Sequence, residues 1–193
     1  MKMMKNLMIA AMMALLPISA FAQSVTSAKV AELTAHRIDR LVVLGKIDAS
    51  FNKKLAMVEV SAAGPTPVAF RSLVSQTQPT TGAPIQLELL FDAAAKPLSF
   101  KVLPGGVAGP DPGYNGGQDA VSLFENSMHY ILNNATDPKI APFYNGLTTV
   151  MLTKVKMGDM DMAQAQVMSS ATTQKLNVNL MLDGMFMSAE VVP

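Results

Sequence analysis

The chain has no cysteine and no tryptophan, and charged residues make up only 15% of its 193 positions. Each shortage excludes something. Without cysteine there is no disulfide, no thiolate metal site and no cysteine nucleophile, so a hydrophobic core has to supply the stability. Beyond residue 22, thirteen basic residues face fourteen acidic ones, a balance that creates no field for nucleic acid or an anionic membrane. Signatures of catalysis are missing too: the chain contains no Gly-x-Ser-x-Gly, no His-Glu-x-x-His and no phosphate loop. The expectation is therefore a protein that is not an enzyme. Long apolar runs are also scarce. The one at Leu7 to Leu16 is shorter than the roughly 20 residues a membrane-spanning helix needs, so no transmembrane segment is expected.

What is present begins with that short run. Basic residues Lys2 and Lys5 precede it, and Pro17-Ile18-Ser19-Ala20-Phe21-Ala22 follows, ending on an Ala-x-Ala pattern. A basic start, an apolar middle and small residues at a cleavage point read as a secretory signal peptide over residues 1–22. No cysteine follows the cleavage point, which excludes a lipid-anchored lipoprotein. Export to a bacterial periplasm as a soluble protein is the expected localisation.

The rest of the chain repeats itself. His36 and His129 are the only histidines, and each is followed ten residues later by Lys-Ile, at Lys46-Ile47 and Lys139-Ile140. Phe51 precedes Leu55 as Phe143 precedes Leu147. Near the end of each copy, Leu89-Leu90-Phe91-Asp92 matches Leu180-Met181-Leu182-Asp183. The separations between partners stay within a few residues of one another along the chain, as a duplication with small loop changes requires.

Each copy opens with an amphipathic helix, 27–44 and 118–133, apolar at Val30, Ile38 and Leu41 in one and at Val121, Phe124 and Ile131 in the other. Strand-like segments follow at 55–61, 68–75, 85–91 and 98–103, and again at 148–157, 163–169, 176–182 and 185–192. Alternation such as Ile85, Leu87, Leu89 and Phe91 against Gln86 and Glu88 marks one buried and one wet face. The expected fold is α+β, two tandem repeats (23–103 and 118–193), each one helix packed on a three- or four-stranded antiparallel sheet. A Gly- and Pro-rich linker over 104–117 joins them. Sheets this small expose edge strands, which the two copies can satisfy by pairing with each other or with a partner.

This order of elements resembles the helix-then-antiparallel-sheet modules of exported PepSY-type domains and of the tandem β-lactamase-inhibitor-protein fold. The resemblance lies in element order, with no family motif, so no functional residue carries over. It implies a non-enzymatic binding or inhibitory module that recognises another exported protein through the outer sheet face or an exposed edge.

Two sets of residues could carry chemistry. Each histidine has a glutamate four residues earlier, Glu32 before His36 and Glu125 before His129, which places both side chains on one helical face. A carboxylate and an imidazole so placed can chelate Zn²⁺ or Cu²⁺, or form only a solvated ion pair. The second set is Met157, Met160 and Met162, a thioether cluster of the kind that suits Cu⁺ or Ag⁺. Against it, methionine is an ordinary filler of cores. A copper- or zinc-binding envelope protein is thus the alternative to the binding module, which needs no cofactor. Asp92 and Asp183 read as turn caps.

Overall fold

A computed structural model describes residues 25–64, 66–77, 83–106, 108–109 and 119–193. The segment read as a signal peptide, and most of that read as a linker, lie outside the described residues. Helix α1 (Ser27–Val43) and a short α2 (Ser50–Lys53) precede strands β1 (Leu55–Ala62), β2 (Phe70–Gln76), β3 (Ile85–Phe91) and β4 (Pro97–Pro104). The second half repeats this order with α3 (Ala120–Asn133), α4 (Ala141–Gly146), β5 (Leu147–Met157), β6 (Met160–Ser169), β7 (Lys175–Met181) and β8 (Phe186–Val192).

The strands corrected the expected architecture. They do not form two helix-on-sheet units but one eight-stranded antiparallel sheet, in the order β4-β3-β2-β1-β5-β6-β7-β8, and the chain is mostly sheet. The join is β1 with β5, through Met57↔Met151, Val58↔Val150 and Glu59↔Thr149. A four-stranded half would leave the backbone donors and acceptors of its first strand unpaired. Each half satisfies that edge with the other's. Each half also carries two helices rather than one.

Helices and sheet share a single core. Alternate strand residues such as Val58, Val74, Leu89, Val150, Ala165 and Val178 belong to the same buried cluster as Ile38 and Leu41 of α1 and Phe124 and Ile131 of α3. Alternation then assigns the remaining strand residues, such as Glu59, Glu88, Gln164 and Asn179, to the opposite face. No helix covers that face among the described residues. It is ordered by polar ladders instead: Gln164 donates to Asn179 at 3.0 Å, and Asn179 donates to Ser188 at 3.0 Å.

The closest helix partnership is α1 with α3. Small residues make it possible: Ala28, Ala31 and Ala35 on α1 and Ala120 and Ser127 on α3 are all buried. The buried hydroxyls do not go unpaired. Thr34 donates to the Val30 carbonyl at 2.9 Å and lies 2.9 Å from Ser72 Oγ, while Ser127 donates to the Leu123 carbonyl.

Tight turns close the hairpins where expected. Gly158 takes a positive φ of 61° between β5 and β6, a conformation that favours glycine. Asp92 accepts from the backbone of Ala94 and Lys96, and Asp183 from that of Met185, as turn caps do. On the connection between the halves, Gly109 donates to the Gln76 carbonyl, and a Cβ there would stand 2.7 Å from that of Ala56. That point is packed down rather than free.

Candidate metal centre

The two Glu-His pairs, 93 residues apart in sequence, meet at one place. Packing α1 against α3 turns the polar face of each helix toward the same rim, and the pairs interlock across it. His36 Nε2 stands 3.4 Å from Glu125 Oε1, on the other helix. His129 Nε2 stands 3.5 Å from Glu32 Oε1 across the interface and 3.7 Å from Glu125 Oε1 on its own helix. One donor atom each from Glu32, His36 and His129 fall within 4.8 Å of one another.

The carboxylates form the floor of this cluster and the imidazoles its mouth. The side chains of Glu32 and Glu125 are 10% and 20% exposed, against 51% and 46% for His36 and His129. Burying a carboxylate is costly unless a counter-charge or donors compensate it. For Glu32 the compensation is Lys29, one turn earlier, whose ammonium engages Oε2. The other oxygen, Oε1, remains turned to His129. Nearby, burial raises the Asp39 carboxyl above its ordinary value, and the Glu125 carboxylate pushes in the same direction, partly offset by a hydrogen bond from Asn52. Asp39 thus adds a third carboxyl to the surroundings of Glu125.

The methionine set is rearranged. Met157 and Met160 are cross-strand partners at the exposed tip of the β5–β6 hairpin, 47% and 49% exposed. Met162 is only 1% exposed. Met160 and Met162 line a cavity of about 300 Å³ together with Met181 and Met187, and Met157 is not among its lining residues.

Reasoning from sequence identified both Glu-His pairs but not their crossing, which depends on the helix–helix contact. Lys29 and Asp39 were missed. Lys29 is three residues from Glu32, a spacing that puts it on the same helical face and could have drawn notice. Compared with protein-family models, curated proteins and solved structures, the chain matches none.

Proposed function

We propose that this chain is an exported protein that binds one divalent ion of the Zn²⁺ type through His36, His129, Glu32 and Glu125. The observation that carries the reading is the spacing of donors. Zinc bonds of 2.0–2.1 Å in a tetrahedron set donor atoms about 3.3–3.4 Å apart. Three imidazole–carboxylate separations across the cluster are 3.4, 3.5 and 3.7 Å. The longer separations, up to 4.8 Å among Glu32, His36 and His129, close by rotation of the half-exposed imidazoles. Charge agrees: two neutral imidazoles and two carboxylates balance a divalent ion. Lys29 holds one oxygen of Glu32 and leaves the other for the metal, as a ligand's outer partner should. As bare ion pairs these contacts are worth only about 0–1 kcal/mol each.

Export is supported by the signal-peptide pattern of residues 1–22, and no helix among the described residues is long and apolar enough to cross a membrane. Binding, with no catalysis, is the role assigned.

The test is Zn²⁺ titration of the purified protein against a chelating indicator. One equivalent is expected, with affinity lost in the variant carrying both His36→Ala and His129→Ala. Unchanged affinity in that variant rejects the proposal.

The helix-free face of the sheet favours a second reading, recognition of another exported protein. Its polar ladders hold side chains in place before any partner arrives, which lowers the ordering cost of binding. A photo-crosslinking residue at Gln164 is expected to give one defined adduct in the cell envelope, and one at the exposed Val43 of α1 none. Equal adducts from both positions would dismiss it.

A further inference from the structure

At the second-half end of the sheet's open face lies an apolar feature that its polar ladders do not explain. Met162 is 1% exposed, yet it lies outside the core cluster shared by the helices and the sheet. Its neighbours on β6, Ala163 and Ala165, belong to that core, so alternation turns Met162 to the face no helix covers. Val155 is its registered partner on β5, and methionines lie on its other sides. Met181 is its registered partner on β7, and Met160 lies two residues along β6 on the same face. Met187 completes the set through an irregularity. The β7–β8 register runs Asn179↔Ser188 and then Leu180↔Phe186, leaving Met187 as the extra residue of a bulge. A bulge re-aims a side chain that regular pairing would send elsewhere. Here it brings a fourth thioether to the cavity of about 300 Å³.

We infer that this cavity is a site for a soft monovalent cation, Cu⁺ or Ag⁺, held by the thioethers of Met160, Met162, Met181 and Met187. Thioether sulfur selects such ions, and being uncharged it suits a single positive charge. The two carboxylates at the rim are engaged elsewhere. Asp161 lies 2.6 Å from the Lys154 ammonium, and Asp183 accepts the Met185 backbone N–H at 3.0 Å. Sulfur is the commonest donor in the lining, on four of its seven residues. In a chain with no cysteine, a soft ion has no thiolate to prefer. Two of the sulfurs, on Met160 and Met187, are on half-exposed side chains and give the ion a way in, while Met162 forms the floor. This site shares no residue with the His/Glu centre and belongs wholly to the second half of the chain.

The probe is Ag⁺, which needs no reductant, and the readout is protection from peroxide. Hydrogen peroxide transfers an oxygen atom to a thioether sulfur, giving the sulfoxide and water, and a sulfur whose lone pair is on a metal reacts slowly. Met157 and Met185 are exposed but do not line the cavity, so they serve as internal controls. One equivalent of Ag⁺ is expected to slow oxidation of Met160 and Met187 by about tenfold, leaving Met157 and Met185 unchanged. The paired substitution Met162→Leu with Met181→Leu, close to volume-conserving, should weaken Ag⁺ binding by about tenfold or more while sparing Zn²⁺ binding. Equal protection of all four exposed methionines, or none, overturns the assignment. So does Ag⁺ affinity that survives the paired leucine variant but falls with His36→Ala. The peroxide footprint on the unaltered protein decides the matter even if the leucine variant folds poorly.

Discussion

The two faces of the sheet present opposite chemistries. On the helix side, imidazole nitrogens from α1 and α3 stand over the carboxylates of Glu32, which is buried, and Glu125, which is partly exposed. On the open side, four methionines line one cavity of about 300 Å³. The first cluster needs both halves of the chain, because each helix supplies one glutamate and one histidine. The second lies on β6, β7 and β8 alone, and the corresponding first-half hairpin, residues 61–68, has no methionine. A doubled element order therefore produces shared features where the halves meet and divergent ones toward the outer edge. On the two proposed assignments the faces would also divide ions by softness, since imidazole and carboxylate suit Zn²⁺ and thioether suits Cu⁺ or Ag⁺.

The largest effect that bears on this contrast is on packing. Phe124 is fully buried beside Glu125, in the layer between α3 and the sheet. Phe124→Ala should cost about 3–5 kcal/mol of unfolding free energy, measured by urea denaturation. In the fraction still folded, Zn²⁺ affinity should fall with the loosened α3, while Ag⁺ affinity at the far end of the sheet holds. Loss of both affinities together would mean that the two regions are not independent.

Next is the loss of a donor. His36→Ala should weaken Zn²⁺ by more than the roughly 10–100-fold that follows loss of a ligand's outer partner. Glu32→Gln belongs beside it and should preserve the fold. A Zn²⁺ affinity that responds to His36→Ala but not to the corresponding His129→Ala would break the symmetry between the halves.

The smallest effect is electrostatic. The Asp39 carboxyl is raised above its ordinary 3.8 by burial and by Glu125, so the native state holds a proton there that the unfolded state has released. Stability is accordingly lost as pH rises from 3.8 through the raised folded value, and the penalty persists above it. Asp39→Asn should stabilise the metal-free protein at pH 7, with the difference from wild type shrinking as pH falls toward 3.8. A difference independent of pH would assign the effect to packing instead.

Much of the fold was legible because its cues are local. Alternation marked β3 at Ile85–Phe91, and the periodic apolar side of α1 and the turn residues Asp92 and Asp183 gave equally direct signals. The long-range pairing was not legible. Nothing in Met57 to Glu59 or Thr149 to Met151 announces that these segments are registered with each other. The expectation of two helix-on-sheet repeats failed there, and whether their edges pair with each other or with a partner was left open by the sequence. The four-residue α2 is too short to show a period. At the sites, the spacing Glu-x-x-x-His revealed each pair, but only the packing of α1 on α3 brings Glu32 to His129 and Glu125 to His36. Met187 could not be assigned from alternation because the bulge suspends it.

The most direct test of the account is the stoichiometry of Zn²⁺ binding, read by native mass spectrometry on the wild-type protein. A shared centre built from both helices predicts one ion per chain, lost when either His36 or His129 is replaced by alanine. Two ions per chain, with each alanine variant keeping one, would contradict it, since each Glu-His pair would then be acting alone.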